Sequence, residues 1–373
     1  MEYLKEIFTV TNLLMMNLGM AAGIIIGALP GLSALLAVTV VLPFTFGMES
    51  LPGMYLLLGT YCGATYGGSI TAILINTPGT PNAACTVLDG YPLAKGGRAA
   101  DALETALVGS TFGGLFSCGV LFFLAPLIAS YALKFGAPEY FALCVFGIVI
   151  VITLIGDSLR KGALMAFLGL LISTIGIDSI SSTSRFMFGN PNLLAGVQTV
   201  ALMLGIFAVG EIMVQSENSA AARKKDRVEF QKRTVNLPAL LKYWKTMFRS
   251  SVIGVGIGAV PGTGGAIAAF ISYSLAKKRS KEAQKFGNGS LEGVIAPETA
   301  NNAVTGAALI PLLTLGIPGD ACMAVFYGAL VMQGITPGPS LFTQDKYWVY
   351  CIMIGLFVVN IFMYLQRELD AGK

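Results

Sequence analysis

Long apolar stretches alternate with short polar loops along most of this 373-residue chain. Many of these stretches approach the length of about 20 residues that an α-helix needs to cross the hydrocarbon core of a bilayer. The pattern therefore predicts an all-α, polytopic membrane protein. The expected spans include Ala102–Leu133, Phe141–Ile155, Ala163–Ile177, Ala195–Val214, Gly293–Leu315, Ala321–Gln333 and Trp348–Tyr364.

The amino-acid composition favours a membrane protein over a soluble one. Hydrophobic residues make up 55% of the chain and charged residues 12%, whereas a soluble domain has about 25% charged residues. The chain has no histidine, and its six cysteines lack the spacing of metal ligands. Histidine-based catalysis and proton relays are therefore excluded, and we expect neither an enzyme nor a resident cofactor or metal.

The positive residues cluster in four loops. Cytoplasmic loops of membrane proteins carry an excess of Lys and Arg, so the net charge of +4 indicates membrane topology and lipid contact, not nucleic-acid binding. The clusters are Lys95 with Arg98, Arg160 with Lys161, the polar stretch 215–249, and Lys277–Lys281. The predicted organisation is a first transmembrane repeat with extra spans (1–214), a basic cytoplasmic linker (215–249) and a second, shortened repeat (250–373).

The stretch Ser250–Ala276 lies between two basic loops, so both of its ends are expected in the cytoplasm. Its 27 residues are too few for two full spans of about 20 residues each. A re-entrant hairpin that turns at Pro261-Gly262 fits both observations. The alternative is one tilted, kinked span with a misplaced loop.

A Pro-Gly signature occurs twice in the chain. The segment Gly27–Gly31 (GALPG) recurs as Gly258–Gly262 (GAVPG), and a second Pro-Gly break follows each copy, at Asn76–Pro81 and at Gly316–Asp320. The two GA[LV]PG copies are 231 residues apart, and Pro78 and Pro318 are 240 residues apart. Such near-constant spacing indicates an internal repeat.

The loop charges give the two repeats opposite orientations. The loop Thr45–Ser50 after the first hairpin has no positive residue, whereas its counterpart is the basic cluster Lys277–Lys281. Conversely, Tyr91–Arg98 is basic and its counterpart near Gly334–Pro339 is not. The predicted fold therefore has two inverted-topology repeats, each with a re-entrant hairpin and a broken transmembrane helix, as in many secondary transporters.

Breaks of this kind point to a binding site. Within a bilayer, non-helical backbone is tolerated only where it is buried in protein or lines a cavity, and half-helix ends bind anions and cations there. The candidate substrate- and ion-binding residues are Pro30, Gly31, Ser33, Asn76, Thr77, Pro78, Gly79, Thr80, Pro261, Gly262, Thr263, Gly264, Gly265, Glu298, Asn301, Asn302, Pro318, Gly319 and Asp320.

Most of these residues also have a purely structural interpretation. Asn and Thr at the first break can donate to a carboxylate or accept a cation, but they can equally cap broken helices. The same choice holds for Ser33 and Thr263, which follow the two hairpin Pro-Gly pairs. The glycines allow close backbone approach to a ligand or simply tight packing.

Ionisable residues inside the predicted membrane region are functional hypotheses by default. Asn302 lies four residues after Glu298, so the two share a helix face. Glu298 is expected either to sense a coupling cation or to cap a helix start near Pro297. Asp320 is a candidate cation ligand or proton site, and Asp89 is expected in a loop or at the membrane interface.

Seven segments together resemble the large membrane subunit of the tripartite tricarboxylate transporters, in order and over nearly the whole chain. This resemblance implies a multi-pass protein of the bacterial inner membrane that takes up organic tri- or dicarboxylates, driven by an ion gradient. It also implies two partners, a small transmembrane subunit and a periplasmic solute-binding protein. The segments are Gly27–Gly31, Tyr66–Ser69, Asn76–Pro81, Leu88–Pro92, Gly258–Gly265, Ala296–Asn302 and Leu315–Gly319.

Two features depart from the family pattern. The spans in 141–214 have no counterpart in the second half, so the chain is interpreted as C-terminally short, either a short variant or a truncated product. The alternative function is therefore a truncated or non-transporting relative that acts as a membrane docking partner for a periplasmic binding protein. In addition, Asp320 stands where the family more often has a small neutral residue.

The residues at the breaks favour Na⁺ as the coupling cation. Asn, Thr and Ser side chains and free backbone carbonyls supply hard oxygen ligands, and a Na⁺ site is expected near Asn76, Thr77 and Asn302. Without histidine, coupling to H⁺ would depend on Glu298 or Asp320.

Overall fold

The computed structural model describes residues 2–154, 158–178, 183–198, 201–202, 204–210, 213 and 237–366. The described part is almost entirely helical. Its β-structure is a two-residue antiparallel pair, in which β1 (Gly176–Ile177) pairs with β2 (Ser184–Arg185).

The first half begins with a short helix, followed by two helices separated by the first Pro-Gly signature. A long helix then ends at the second break, and a shorter helix leads through a π-helical stretch into the longest helix. The helices are α1 (Glu2–Ile7), α2 (Val10–Gly27), α3 (Ala34–Val41), α4 (Ser50–Ile75), α5 (Val87–Leu93), α6 (Ala99–Ala132), α7 (Ala137–Leu154) and α8 (Leu159–Ser173).

The second half repeats the order of hairpin, long helix, break and shorter helix. Only Ala308 separates α12 from α13, so these two helices together match the predicted span Gly293–Leu315. The helices are α9 (Leu237–Leu241), α10 (Trp244–Gly258), α11 (Gly264–Arg279), α12 (Leu291–Ala307), α13 (Leu309–Leu315), α14 (Ala321–Met332), α15 (Leu341–Gln344) and α16 (Lys346–Leu365).

Among the residues that the structure describes, three helical segments are long and apolar enough to cross a membrane, judged by length and composition. They are Val10–Gly27, Val87–Ala132 and Lys346–Leu365. Their exposed surfaces carry large apolar side chains, such as Phe123 on α6 and Phe357 on α16. This apolar surface agrees with the helical membrane protein that the sequence predicts.

Glycines bring α2 and α4 into direct backbone contact. Gly23 faces the Thr60 carbonyl and Gly27 faces the Ala64 carbonyl, and both approaches are too close to admit a Cβ atom. Because the contact advances by four residues on each helix, α2 and α4 run parallel. The segment 28–49, which contains α3, must therefore run back along the helix, so α2 and α3 form a helical hairpin.

The same arrangement occurs in the second half at the spacing found in the sequence. Gly254 faces the Ala300 carbonyl, and a Cβ atom at Gly258 would lie 3.0 Å from the Cα of Val304. These glycines lie 231 residues after Gly23 and Gly27, and their partners lie 240 residues after Thr60 and Ala64. Consequently α10 and α12 also run parallel.

Side-chain hydrogen bonds show directly that α10 and α11 form a hairpin. Ser272 on α11 donates to Ser250 on α10 at 2.7 Å, about halfway along both helices. At the open end, Thr246 and Ser280 each donate to the carboxylate of Glu292 at 2.6 Å. The hairpin therefore starts and finishes at the same end of α12.

The two long helices of the halves cross in opposite directions. The Asn301 amide donates to the Thr65 carbonyl at 3.4 Å, while Cys62, one turn earlier on α4, contacts Thr305, one turn later on α12. Residues later on α4 therefore contact residues earlier on α12, so the two helices run in opposite directions. Repeat-equivalent helices thus have opposite polarity where they meet.

The helix that follows each break also reverses direction. On α6 and α12, Gly113 contacts Thr299 and Ser117 contacts Gly306, so α6 runs parallel to α12 and opposite to α4. On α16, Asn360 donates to Cys118 of α6 at 3.5 Å. Earlier on α16, Tyr350 contacts Phe122, which lies later on α6, so α16 runs opposite to α6.

Several predicted boundaries differ from the structure. The hairpin begins at Trp244, inside the predicted linker 215–249, because Met247 is buried and Thr246 bonds to Glu292, which composition alone does not reveal. The predicted span Ala163–Ile177 ends as a helix at Ser173 and continues into β1. Of the predicted span Ala195–Val214, residues 195–198, 201–202, 204–210 and 213 are described, and they include a π-helical segment at Leu204–Val209. The linker residues 215–236 lie outside the described residues.

Candidate functional site

The Pro-Gly glycines of the two hairpin turns have the same backbone conformation. Gly31 has φ 86° and Gly262 has φ 85°, a left-handed conformation that glycine adopts without steric cost. Each glycine follows the proline of its Pro-Gly pair, Pro30 and Pro261. The repeated signature therefore encodes a repeated turn at the end of each first hairpin helix.

The second breaks also correspond to each other. Asn76 ends α4 with φ 57° and Gly316 ends α13 with φ 71°, both in the left-handed region. Beyond each cap, the chain folds back against its own helix: the Gly79 N–H donates to the Gly68 carbonyl at 3.0 Å. A Cβ atom at Gly319 would lie 2.8 Å from the Ala308 carbonyl, which is the equivalent contact.

In each half, the hairpin turn touches the broken helix. A Cβ atom at Gly79 would overlap the carbonyl of Gly27, which ends α2. In the second half, the Gly262 N–H donates to the Gly319 carbonyl at 2.6 Å. The four breaks therefore form two equivalent pairs of irregular backbone.

Some of the predicted site residues have capping roles. The hydroxyl of Ser33 accepts from the Leu36 N–H at 3.1 Å and caps α3, whereas the Thr263 hydroxyl donates to the Val260 carbonyl at 2.9 Å at the end of α10. The two hydroxyl groups therefore make different bonds at their hairpin turns. Among the other predicted residues, exposed positions are Pro30, Gly31, Asn76, Thr77 and Gly262, and half-buried ones are Pro78, Pro261, Gly264 and Pro318.

Glu298 lies at the centre of a buried polar network. Its side chain is 0% exposed, and its carboxylate accepts from the Thr86 hydroxyl and from the Ser110 hydroxyl, the latter at 3.0 Å. Asn302 donates to Ser110 at 2.8 Å and to the Glu298 carbonyl at 3.1 Å. The predicted shared face of Glu298 and Asn302 is confirmed. A helix-capping role near Pro297 is wrong, because Glu298 is inside α12.

No ion pair to Glu298 is present among the described residues, since their ion pairs lie at Arg98–Asp101, Arg185–Asp178 and Lys285–Glu282. An uncompensated buried carboxylate is costly. The donors to the Glu298 carboxylate are neutral hydroxyl groups. This arrangement suits a carboxyl group that can take up a proton or a cation.

A second polar cluster lies where the first break meets the second hairpin. A Cβ atom at Gly265, the second residue of α11, would overlap the Asn301 side-chain oxygen and would lie 2.8 Å from the Asn82 amide nitrogen. Thr80 packs against Gly68 on α4, one turn from Thr65, which binds the Asn301 amide. The cluster thus joins residues of both halves beside the crossing of α4 and α12.

Asp320 has a different environment from the one expected. Its carboxylate accepts from the Met323 N–H at 2.8 Å and so caps α14. It also accepts from the hydroxyl of Tyr61 at 3.3 Å, and the Tyr61 ring packs edge-on against Phe326. Asp320 therefore fastens the second break to α4.

Asp89 is the clearest residue that sequence reasoning missed. The expectation of a loop position is wrong, since Asp89 lies in α5 and is 0% exposed. Its carboxylate accepts from the Tyr273 hydroxyl at 2.8 Å and from three backbone N–H groups, those of Gly287, Gly289 and Ser290. One signal was available, because Asp89 is the single charged residue between positions 76 and 94.

The structure does not bring together the three residues of the expected Na⁺ site. Asn76 and Thr77 are exposed at the surface of the first break, whereas Asn302 is buried in the Glu298 network. The buried oxygens instead come from residues nearer the helix crossing.

The arrangement defines a helical membrane protein with paired broken helices and buried polar groups at their junction, the architecture of a transporter. The chain belongs to the tripartite tricarboxylate transporter TctA family, whose sequence model matches residues 13–367.

Two proteins of Agrobacterium vitis are similar to the chain. One, named an uncharacterized 52.8 kDa protein in the TAR-I ttuC' 3' region, is 40% identical over 359 residues, which cover 95% of this chain and 70% of that protein. The other, named an uncharacterized protein in the TAR-II ttuC' 3' region, is 44% identical over 107 residues, 29% of this chain and 44% of that protein. No solved structure matches the chain.

Proposed function

We propose that the protein is the large membrane subunit of a tripartite, binding-protein-dependent secondary transporter of the bacterial inner membrane, and that it imports organic di- or tricarboxylates. Family membership supports this function. The observation that carries it is the pairing of each hairpin turn with a broken helix, seen in the contacts Gly27–Gly79 and Gly262–Gly319.

The two halves would form inverted-topology repeats, with the α2–α3 and α10–α11 hairpins entering the membrane without crossing it. The opposite polarity of α4 and α12 supports this topology. So does the length of one arm of each hairpin, since α3 has 8 residues and α10 has 15. An α-helix of 15 residues spans about 22 Å, less than the hydrocarbon thickness of about 30 Å.

The substrate would bind at the junction of the breaks. Backbone N–H groups at half-helix N-termini and hydroxyl donors such as Ser33 suit a carboxylate. A periplasmic solute-binding protein would deliver the anion, and a small transmembrane subunit would complete the membrane complex. The docking-only alternative is not favoured, because both pairs of breaks are present and correctly paired.

Transport would be coupled to an ion gradient, with Na⁺ preferred over H⁺. Neutral oxygens predominate at the breaks, which suits Na⁺. If H⁺ is the coupling ion instead, Glu298 is the group best placed to carry it, because it is buried and faces only hydroxyl donors.

Uptake of radiolabelled citrate and other carboxylates into vesicles tests this proposal. The vesicles contain the full chain with its small subunit, the binding protein is added outside, and Na⁺ and pH gradients are imposed separately. Binding-protein-dependent uptake that follows the Na⁺ gradient is expected. Uptake that follows only the pH gradient would reject Na⁺ coupling, and no uptake of any carboxylate under either gradient would reject the function.

A further inference from the structure

Two buried oxygens beside the crossing of α4 and α12 have no hydrogen-bond partner. They are the side-chain oxygen of Asn301 and the hydroxyl oxygen of Thr80, on side chains that are 1% and 2% exposed. Buried polar groups nearly always have a partner. Each oxygen is therefore available to a ligand at this crossing, and the two come from different halves of the chain.

The hydrogen bond of Asn301 fixes which atom faces this place. The Thr65 carbonyl can only accept, so the amide group directed at it must be the NH₂ group, at 3.4 Å. The Asn301 oxygen is thereby directed toward Gly265 and Asn82. An acceptor held in this orientation repels a carboxylate and attracts a cation.

The remaining groups suit a cation of low charge. Asn82 brings a second amide to the same side of Gly265, and rotation of this amide presents its oxygen. Thr80, Asn82 and Asn301 are all neutral, whereas sites for divalent cations normally include carboxylates. Gly265 has no side chain, so its backbone lies directly against the Asn301 oxygen and the Asn82 amide.

The equivalent position in the other half is already filled. Asp320 lies 240 residues after Thr80, and Tyr61 lies 240 residues before Asn301. These two residues bond to each other at 3.3 Å. The repeat therefore provides two equivalent positions, and only the one formed by Thr80 and Asn301 has unpartnered oxygens among the described residues.

We propose that Na⁺ binds between Thr80, Asn82 and Asn301, next to Gly265. The inference deepens the proposed function, on which its role in coupling rests, although binding can be measured without transport. The site joins the first break to the start of the second hairpin helix α11, so the cation would hold the two halves together where the substrate binds.

Thermal unfolding of the purified full-length protein in detergent tests the site. NaCl is titrated at constant ionic strength with choline chloride, and KCl is titrated in parallel. A ligand that binds only the folded state raises the unfolding temperature, so a saturable rise with NaCl but not with KCl is expected. No Na⁺-specific rise, or an equal rise with K⁺, would overturn the proposal and leave water as the partner of the two oxygens.

Variants locate the ion. Asn301→Leu and Asn301→Asp both lose the donor to Thr65, but only Asn301→Leu also loses the side-chain oxygen. We therefore expect Na⁺ binding to weaken by about tenfold or more in Asn301→Leu and to be retained in Asn301→Asp. Thr80→Val should weaken binding similarly. Tyr61→Phe, at the equivalent position of Asn301, and Thr314→Val, whose hydroxyl bonds within its own helix at 2.7 Å, should bind as the unmodified protein does.

The comparison remains decisive if a variant fails to fold. Should Asn301→Leu not fold, Thr80→Val measured against Thr314→Val decides alone. Wild-type affinity in Thr80→Val, or equal losses in Asn301→Leu and Asn301→Asp, would overturn the site. Carboxylate uptake that persists without Na⁺ binding would reject the site while leaving the transport function intact.

Discussion

Removal of the Asp89 carboxylate should destabilise the junction between the two halves of the chain. Asp89 lies on α5 of the first half, and its four donors belong to α11 and to the loop that precedes α12. In Asp89→Ala, the N–H of Ser290 and the hydroxyl of Tyr273 would remain buried without a partner, whereas Gly287 is exposed and can bind water.

The size of the effect follows from these partners. A buried donor left without a partner costs about 1 to 3 kcal/mol, so the two buried donors predict a loss of about 2 to 6 kcal/mol for Asp89→Ala. Asp89→Asn should cost only about 1 kcal/mol, because the three N–H groups donate to one oxygen that an amide retains. Tyr273→Phe removes one bond and should fall between the two.

Chemical unfolding in detergent and hydrogen exchange of the amides 286–290 measure this series. The order Ala, Phe, Asn in decreasing severity is expected, with faster exchange at Ser290 in Asp89→Ala. The matched control is Glu282→Ala, which removes an exposed carboxylate whose ion pair with Lys285 is screened by water and contributes little to stability. If Asp89→Ala unfolds like the control and Ser290 stays protected, the carboxylate does not hold this junction.

Three further changes test other parts of the structure. Gly63→Ala should lower the unfolding temperature, because a Cβ atom there would overlap the Met20 carbonyl. Gly256→Ala is the control and should not lower it, because Gly256 faces open space. Equal effects of the two substitutions would contradict the close packing of α2 and α4. Glu298→Gln should keep the unfolding temperature but reduce carboxylate uptake severalfold, and unchanged uptake would show that its charge is not needed. Glu292→Ala should speed hydrogen exchange at the ends of α10 and α11 that it joins, and a change confined to the turn would refute that role.

Features that depend on backbone chemistry could be predicted from the sequence. The left-handed conformations of Gly31 and Gly262 favour glycine. Because both halves have this requirement, the same Pro-Gly sequence occurs in both. The spacing of 231 and 240 residues then indicated an internal repeat, and residues at these spacings make equivalent contacts in the structure. A buried Glu298–Asn302 pair could likewise be predicted, because residues four apart on a helix share a face.

Features that depend on long-range contacts could not be predicted. Asp89 and Tyr273 are separated by 184 residues, and Tyr61 and Asp320 by 259; no local pattern indicates such a partner. No sequence pattern marks Asn82, and only the fold brings it to Gly265. The start of α10 was missed for the same reason, since its anchor is Glu292.

The two halves share a backbone plan but not the same chemistry, and this difference limits what the repeat can do. Two identical junctions would give two identical binding sites on either side of the crossing of α4 and α12. Instead, Tyr61 and Asp320 bond to each other in one junction, while Thr80 and Asn301 keep unpartnered oxygens in the other. Substitutions at equivalent positions should therefore have unequal effects: loss of the Tyr61 hydroxyl should affect stability, and loss of the Thr80 hydroxyl should affect ion binding.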